Sequence, residues 1–325
     1  MKPLLPTPAA HRQLSMHSIV ENPVLWPIIL ITQVFIYSTY GIFINLSRVD
    51  GHVKYDSFSM VLSIETIKFL MALMMSWPEI VNHGMPEIRM KNVIPFSVPA
   101  FCYCLNNNLA VYMQDQMDPA TFQVLCNLKI ASTALLYRII MRRNLRHLQW
   151  ISLALLTFAG ALNSYSGYTE KTLSLREIHV TSTGLFMAVL YCIISGFAGV
   201  YTEYILKRDI KISLPLQSCF LYSFGIILNF LMWIFQAGET LSLFQGYTKY
   251  TWIVIVCQAV NGLVMSLIMK HSSNIVRLFV ITSAIPVATF LSIFIFHLQP
   301  GFEFFIVVIT VVISIYLYNY SPIQK

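Results

Sequence analysis

Lys129 is the residue whose position in this sequence most directly indicates a function. It lies near the middle of an apolar stretch, residues 119–140, that is long enough to cross a lipid bilayer. An ammonium group at that depth is costly unless a counter-charge or a water-filled cavity receives it. A buried lysine of this kind therefore indicates a binding site for a transported ligand that carries negative charge.

A helical arrangement of the same stretch would place an aromatic ring and the cation on one face. At roughly 100° per residue, Cys126 and Lys129 fall within about 40° of Phe122. Gln123 and Asn127 lie on the flank of that stripe. A ring, a cation and two amides together suit a ligand that carries a flat ring and negative charge. We therefore expect Phe122, Gln123, Asn127 and Lys129 to bind substrate.

Glu65 and Lys68 form a second candidate group, in the apolar stretch 57–77. Their spacing allows an ion pair along one face of a helix. Such a pair could simply neutralise itself and hold the helices together. Alternatively, Lys68 faces a cavity and Glu65 tunes its charge. We favour the second interpretation, with Lys68 as a substrate-binding residue and Glu65 as its supporting acid.

Two further stretches carry small or polar residues at membrane depth. The run 106–108 is three consecutive asparagines, and Ser195 and Gly199 lie in a run of small residues. A single amide or glycine can serve helix packing alone. Three amides in one turn are more typical of a lining that reads a base edge or a sugar. We expect Asn107, Asn108, Ser195 and Gly199 to contribute to a binding site.

Basic residues also lie at the ends of the apolar stretches. Lys270 and Arg277 flank a short turn, where they either set the topology or attract an anionic substrate to the cytosolic mouth. Glu203 and Lys207 are four residues apart, a spacing that predicts an ordinary salt bridge.

The sequence contains no motif of hydrolytic or metal-dependent chemistry. It has no phosphate-binding loop, no paired acidic metal site and no nucleophile–histidine arrangement. Its six cysteines all lie inside apolar stretches and lack the spacing of zinc ligands. We expect no catalytic residue, no metal and no cofactor, and we predict that the protein is neither an enzyme nor an ATP-driven pump.

The composition indicates which elements position these residues. Of 325 residues, 57% are hydrophobic and 11% are charged, which predicts an all-α, polytopic membrane protein. Spans of about 20 residues are predicted near residues 24–46, 57–77, 93–113, 119–140, 148–165, 181–201, 214–236, 250–270, 275–297 and 301–320. These ten helices form one domain, 24–320, between tails at 1–23 and 321–325.

The distribution of lysine and arginine predicts the orientation. With both termini in the cytosol, fourteen of the 21 basic residues lie on that side, five lie opposite and two lie inside spans. The net charge of +7 is therefore mostly positive-inside bias. This charge distribution predicts that the protein lies in a lipid bilayer and does not bind nucleic acid.

The two halves of the chain are weakly similar to each other. A shift of 154 positions aligns residues 107–113 with 261–267. Five spans in each half would insert with opposite topology, so we predict inverted repeats at about 24–165 and 181–320. Transporters built this way bind substrate at the interface of the repeats.

Three motifs resemble the nucleotide-sugar transporter family. They are residues 122–130, 196–203 and 269–277, and the branch they resemble contains the CMP-sialic acid, UDP-galactose and UDP-N-acetylglucosamine carriers. The resemblance implies a ten-helix fold of the drug/metabolite transporter type in the Golgi membrane. It also implies exchange of a cytosolic nucleotide sugar, UDP-linked or CMP/CDP-linked, for a luminal nucleoside monophosphate.

The resemblance also assigns roles to individual positions. In the family, the position of Phe122 is commonly a tyrosine that contacts the nucleobase, and the position of Lys129 is a lysine that binds phosphate. Other cavity positions of the family are matched by Lys68, Asn107, Asn108, Tyr222 and Lys270. Phe122 lacks the hydroxyl, and Cys126 stands where the sialic-acid carriers have a second tyrosine. Stacking on the base survives these changes, but the hydrogen-bond selectivity differs.

Two other functions are compatible with a membrane protein of this kind. An intramembrane transferase acting on a lipid-linked substrate would need a base or metal at membrane depth, and Glu65 is the only acid predicted at that depth, since Glu303 lies at the edge of its span. A transport-inactive relative could instead organise or stabilise other Golgi nucleotide-sugar transporters, as a homo- or hetero-oligomer. The buried lysines favour a carrier.

Overall fold

The computed structural model describes residues 22–47, 55–86, 88–117, 119–169, 181–208, 212–236, 243–296 and 301–320. Almost the whole of the predicted N-terminal tail, and the C-terminal tail at 321–325, lie outside these residues.

The described residues form a series of α-helices. In chain order they are α1 Leu25–Ser47, α2 Ser57–His83, α3 Met90–Val93, α4 Ser97–Gln116, α5 Pro119–Asn127, α6 Lys129–Ile140, α7 His147–Thr169, α8 Ser182–Arg208, α9 Leu214–Gln236, α10 Lys249–His271, α11 Asn274–Phe296 and α12 Phe302–Tyr320. A short 3₁₀ segment, Ile94–Phe96, joins α3 to α4.

Local side-chain chemistry explains where several helices begin and end. The Asp56 carboxylate accepts the backbone N–H of Ser59 at 2.8 Å and caps α2. Thr248 and Thr251 form a reciprocal capping box at the start of α10. Gly84, with φ of +76°, ends α2 in a conformation that glycine adopts without strain.

Seven helices in the described part of the chain are long and apolar enough to cross a membrane, namely α1, α2 and α8 to α12. This confirms a polytopic helical membrane protein. The other three predicted spans coincide with α3–α4, α5–α6 and α7. These helices are more polar or interrupted, as with the three asparagines of α4. That all ten stretches cross the membrane stays a prediction.

The predicted continuous helix 119–140 is wrong in one respect, because it is broken in its middle. Helix α5 ends at Asn127, α6 begins at Lys129, and Leu128 between them has φ −61° and ψ −16°. The Leu128 N–H bonds to the carbonyl of Leu125, three residues back, at 3.0 Å. The helix therefore makes a 3₁₀-type turn, with a hydrogen bond over three residues instead of four, directly before the lysine.

The chain divides into two compact units. The first unit is Met1–Phe101 with Thr202–Ser273, and the second is Cys102–Tyr201 with Asn274–Lys325. In the first unit α2 packs on α9, and α10 packs on α1 and α2. In the second unit α7 packs on α12 and on α5. Helices α4 and α8 contribute residues to both units.

Candidate substrate-binding residues

Lys129 lies in the second unit as the first residue of α6, directly after the break at Leu128. Its side chain is half-buried. Among the residues that the structure describes, no carboxylate forms an ion pair with it. Among the described residues, the Arg277 guanidinium and the thiols of Cys126 and Cys192 are close enough to act electrostatically on its ammonium. Lys129 and Arg277 of this unit are therefore within electrostatic range of each other.

Arg277 is held in place by the start of α11. Its Nη1 donates to the side-chain oxygen of Asn274 at 3.3 Å. The Asn274 amide lies against Gly199 of α8, where an added Cβ would lie 2.6 Å from Nδ2. Gly199 thus makes room for the amide that orients Arg277. From the sequence, Arg277 was expected at the cytosolic mouth of the substrate pathway. Its proximity to Lys129 could not be predicted, because residue spacing does not report contacts between distant stretches.

Asn127 has both of its side-chain N–H groups engaged. Its Nδ2 donates to the carbonyl of Gln123 at 2.8 Å and to the Ser164 hydroxyl of α7 at 3.1 Å. Gln123 itself is exposed. Of these two predicted binding residues, Asn127 therefore hydrogen-bonds to a neighbouring helix, whereas the Gln123 side chain is exposed.

Phe122 is half-buried beside a small hydrophobic cluster. The cluster contains Met113, Met117 and Ala188, with Tyr191 and Cys126 next to it. The ring is therefore supported on one side by side chains of α4 and α8. Part of its surface stays accessible.

The three asparagines of α4 have three different environments. Asn106 is buried and lies next to Tyr191 of α8, as expected if one of the three bonds to a neighbouring helix. Asn107 is exposed. Asn108 is half-buried, and its Nδ2 donates to the carbonyl of Cys104 at 2.8 Å within its own helix. Ser195 of α8 is also half-buried.

The first unit brings Glu65, Lys68 and Tyr222 together. Lys68 Nζ lies 2.5 Å from Glu65 Oε1, which confirms the predicted ion pair. The same ammonium lies 4.8 Å from the centre of the Tyr222 ring, within range of a cation–π interaction. The buried Tyr222 hydroxyl lies 3.3 Å from the Ser266 hydroxyl of α10. The tyrosine that the resemblance implies is therefore in contact with the buried lysine.

Two glycines accommodate this ion pair, and sequence reasoning did not identify either. A Cβ on Gly225 of α9 would lie 2.9 Å from Glu65 Oε2, and one on Gly262 of α10 would lie 2.6 Å from Lys68 Cδ. Helices α9 and α10 therefore approach α2 closely at the charged residues. A glycine in each facing apolar stretch was the signal that could have revealed this.

Lys270 and Lys207 both bond near the C-terminal end of α10. Lys270 Nζ donates to Gln217 Oε1 at 3.0 Å and to the carbonyl of Ile212 at 3.3 Å. Lys207 forms the predicted salt bridge with the fully buried Glu203 at 2.6 Å. It also donates to the carbonyl of Ser272 at 2.5 Å. The two lysines therefore connect the end of α10 with α8 and with the start of α9.

Comparison with known proteins identifies the family. The sequence profile of the nucleotide-sugar transporters matches residues 22–319. The chain belongs to the nucleotide-sugar transporter family. It is 40% identical to "Probable UDP-sugar transporter protein SLC35A4" of Xenopus tropicalis, and the alignment covers 91% of this chain and 92% of that protein. The Mus musculus protein of the same name is 38% identical over 91% and 94%. The Homo sapiens protein is 36% identical over 90% and 93%.

These findings confirm the family predicted from the motifs at 122–130, 196–203 and 269–277. Residues 117–137 resemble the same probable UDP-sugar transporter within the branch. A crystal structure of a protein 11% identical superposes with a TM-score of 0.67, covering 90% of this chain and 97% of its own. At that identity the likeness concerns the fold alone.

The contact of Gly262 with Lys68 predicts a selective effect of a small substitution in this nucleotide-sugar transporter. Gly262→Ala should displace the Lys68 side chain and lower transport at least about fivefold, the effect of disturbing one charged hydrogen bond. Gly41→Ala is the matched control, because an added Cβ there meets nothing within 4 Å. Transport in reconstituted vesicles is the measurement. Equal rates in the two variants would show that the position of Lys68 is not important.

Proposed function

We propose that this protein is a Golgi-membrane antiporter that exchanges a cytosolic nucleotide sugar for a luminal nucleoside monophosphate. The nucleotide sugar is UDP-linked or CMP/CDP-linked. The single observation that carries the proposal is the pair of cations Lys129 and Arg277 without a carboxylate in ion-pair contact with Lys129 in the described structure. Family membership and the UDP-sugar name of the relatives support it.

A phosphate group is the ligand that this pair of cations fits best. Two like charges in a poorly hydrated site repel each other, and an anion between them removes that repulsion. Hydrogen bonds between an ammonium or guanidinium and a phosphate are also among the strongest in proteins. Nucleoside monophosphates and nucleotide sugars share this phosphate, so one site can serve both directions of exchange.

The positive charge of Lys129 in the unloaded protein also supports exchange over one-way transport. Moving an ammonium that has no counter-charge through the conformational change costs more than moving the same ammonium neutralised by phosphate. A loaded carrier should therefore cross more readily than an empty one. Each delivered nucleotide sugar would then require a nucleoside monophosphate for the return.

The remaining predicted residues are proposed to contact the other parts of the substrate. Phe122 stacks on the base, a contact worth about 1–3 kcal/mol by analogy with other aromatic–base contacts. The further proposed substrate contacts are Lys68, Asn107, Asn108, Gln123, Ser195, Tyr222 and Lys270, with Glu65 in support of Lys68. Gly199 contributes through Asn274 and Arg277, as its position against the Asn274 amide indicates.

We propose ten spans in two inverted repeats, 24–165 and 181–320. Helix packing supports this arrangement. In the first unit, α2 packs on α9, and these two helices are the second and seventh predicted spans. In the second unit, α7 packs on α12, the fifth and tenth. Both pairs are five spans apart, as expected if equivalent helices of two repeats pack together.

The same proposal places both termini in the cytosol. Epitope tags fused before Met1 and after Lys325 should both become accessible when only the plasma membrane is permeabilised, because fourteen of 21 basic residues lie on that side. Immunofluorescence with and without permeabilisation of the Golgi membrane is the measurement. A tag that stays hidden until the Golgi membrane is opened contradicts the topology.

A panel of exchange assays tests the proposed function. Purified protein is reconstituted into liposomes that contain UMP, CMP or no nucleotide, and uptake of labelled UDP-sugars and CMP-sialic acid is measured. Uptake that depends on the internal monophosphate indicates an antiporter. Chemical conversion of the sugar nucleotide would indicate a transferase. Neither exchange nor conversion would favour the transport-inactive organiser, alone or in complex with related transporters.

A further inference from the structure

The helix break beside Lys129 is held by one of the predicted binding residues, Asn127, together with two residues of α7. We infer that Asn127, Gly160 and Ser164 form a positioning device for Lys129: they fix the end of α5 on α7, so that the break at Leu128 presents the Lys129 ammonium in one place. The inference rests on the proposed role of Lys129 in binding phosphate. It also changes the interpretation of Asn127, from a residue that contacts substrate to one that positions another residue.

An interrupted helix makes the position of Lys129 depend on its surroundings. A continuous helix would transmit the orientation of α5 directly to α6. At Leu128 the hydrogen bond reaches back only three residues, so the two segments are coupled less rigidly. The sequence Asn127-Leu128-Lys129 contains neither proline nor glycine. The break is therefore maintained by contacts with other helices.

On the α5 side, a directed chain of hydrogen bonds ends on the backbone of α7. Asn127 Nδ2 donates to the Ser164 hydroxyl at 3.1 Å, and that hydroxyl donates to the carbonyl of Gly160 at 2.9 Å. The Asn127 amide lies flat against Gly160, where a Cβ would lie 2.6 Å from Oδ1 and 2.9 Å from Cγ. Any larger residue at position 160 would displace the amide.

These contacts use both N–H groups of the Asn127 amide. One donates to Gln123 within α5 and the other to Ser164. Only the carbonyl oxygen remains, and an oxygen acceptor does not favour a phosphate. The chemistry of Asn127 in this arrangement therefore suits an anchor of α5 better than a ligand of an anion.

On the α6 side, a separate anchor joins the segment to α8. The Ser132 hydroxyl lies 2.6 Å from the carbonyl of Cys192, and Thr133 Oγ1 donates to the carbonyl of Lys129 at 2.6 Å. Gly196 permits this approach, since a Cβ added at this position would lie 3.0 Å from the backbone nitrogen of Thr133. On the α5 side, the Cys192 thiol of α8 also donates to the Leu125 carbonyl at 3.4 Å, so α8 contacts both segments, whereas the Asn127 contact with Ser164 joins α5 to α7. Loosening the α5 anchor should shift Lys129 without detaching α6.

The test measures how strongly the protein prefers a nucleoside monophosphate over its nucleoside. Uridine and UMP compete with labelled UDP-sugar exchange in liposomes, and the ratio of their inhibition constants reports the contribution of the phosphate. Ser164→Ala and Gly160→Ala should each lower this ratio roughly five- to tenfold, the effect of losing one buried hydrogen bond. Inhibition by uridine itself should stay unchanged, because Phe122, the proposed base contact, is supported by the cluster around Met113 and Ala188 and not by the Ser164 anchor.

Two variants control for general damage to α7. Thr157→Val removes a hydroxyl from the same helix that donates to the carbonyl of Leu153 at 2.8 Å, and it should keep the wild-type ratio. Ser164→Thr keeps a hydroxyl and should keep most of the ratio. If Ser164→Ala does not fold, Gly160→Ala carries the test, since it displaces the amide and keeps Ser164.

The outcomes separate this inference from the proposed function. If Lys129→Gln lowers the ratio and the Ser164 and Gly160 variants do not, the positioning device is contradicted and phosphate binding by Lys129 stands. If these variants weaken uridine and UMP equally, the role of the anchor is only structural and the inference is also overturned. If Lys129→Gln leaves the ratio unchanged, the proposed phosphate site itself is wrong.

Discussion

Lys129→Gln should weaken substrate binding roughly ten- to a hundredfold, and so strongly reduce exchange, while the protein still folds. The ammonium contributes a charge-assisted hydrogen bond to phosphate, worth about 1.5–3 kcal/mol, or roughly ten- to a hundredfold in affinity. The substitution should not destabilise the fold, because the described residues include no carboxylate paired with Lys129. The positive charge of Arg277 also repels that of Lys129. Removing the charge should leave the thermal stability of the empty protein unchanged or slightly higher. Exchange in liposomes and thermal unfolding in detergent are the two measurements.

The arginine variant refines this expectation. Lys129→Arg keeps the charge but presents it on a larger planar group, so part of the binding should be retained with altered geometry. Wild-type exchange by Lys129→Gln would contradict the account. A marked loss of stability in Lys129→Gln would instead indicate that the lysine has a structural partner.

Glu65→Gln should destabilise the protein, and neutralising Lys68 as well should restore its stability without restoring transport. Removing one member of a buried pair leaves the other charge uncompensated, which costs about 3–5 kcal/mol when both are fully buried. Here the side chains of Lys68 and Glu65 keep 14% and 18% of their surface exposed. We therefore expect a cost toward the lower end of that range, about 3 kcal/mol.

The double variant Glu65→Gln/Lys68→Gln distinguishes the two interpretations of the pair. It removes both charges and so the uncompensated ammonium. If the pair is only structural, this variant should fold and exchange as the wild type does. If Lys68 serves the substrate, the variant should fold and reach the membrane but exchange poorly. Thermal unfolding and exchange, measured on the two variants side by side, separate these cases.

The helices could be predicted from the sequence because apolar stretches and their boundaries are local properties. Each of the ten predicted stretches is helical where the structure describes it. The break at Leu128 could not be predicted, since no helix-breaking residue lies there. At the break, the Ser164 hydroxyl of α7 accepts a hydrogen bond from Asn127, and the Cys192 thiol of α8 donates to the Leu125 carbonyl at 3.4 Å, contacts between distant parts of the chain that the sequence does not report.

The candidate residues show the same division between local and long-range information. The Glu65–Lys68 pair followed from a spacing of three residues within one helix. The proximity of Arg277 to Lys129, and of Gly262 to Lys68, joins residues far apart in the chain and leaves no periodic signal. Lys270 matched a family position, yet its hydrogen bonds to Gln217 and Ile212 are visible only in the structure.

Competition between nucleosides and their monophosphates tests the central claim most directly. Purified wild-type protein in liposomes is challenged with UMP and uridine, and separately with CMP and cytidine, during nucleotide-sugar exchange. We predict that each monophosphate that inhibits does so at least about tenfold more tightly than its nucleoside, because the phosphate contacts Lys129 and Arg277. This preference should fall strongly in Lys129→Gln, where Arg277 alone remains to contact the phosphate. Equal inhibition of the wild type by nucleosides and monophosphates would contradict the account.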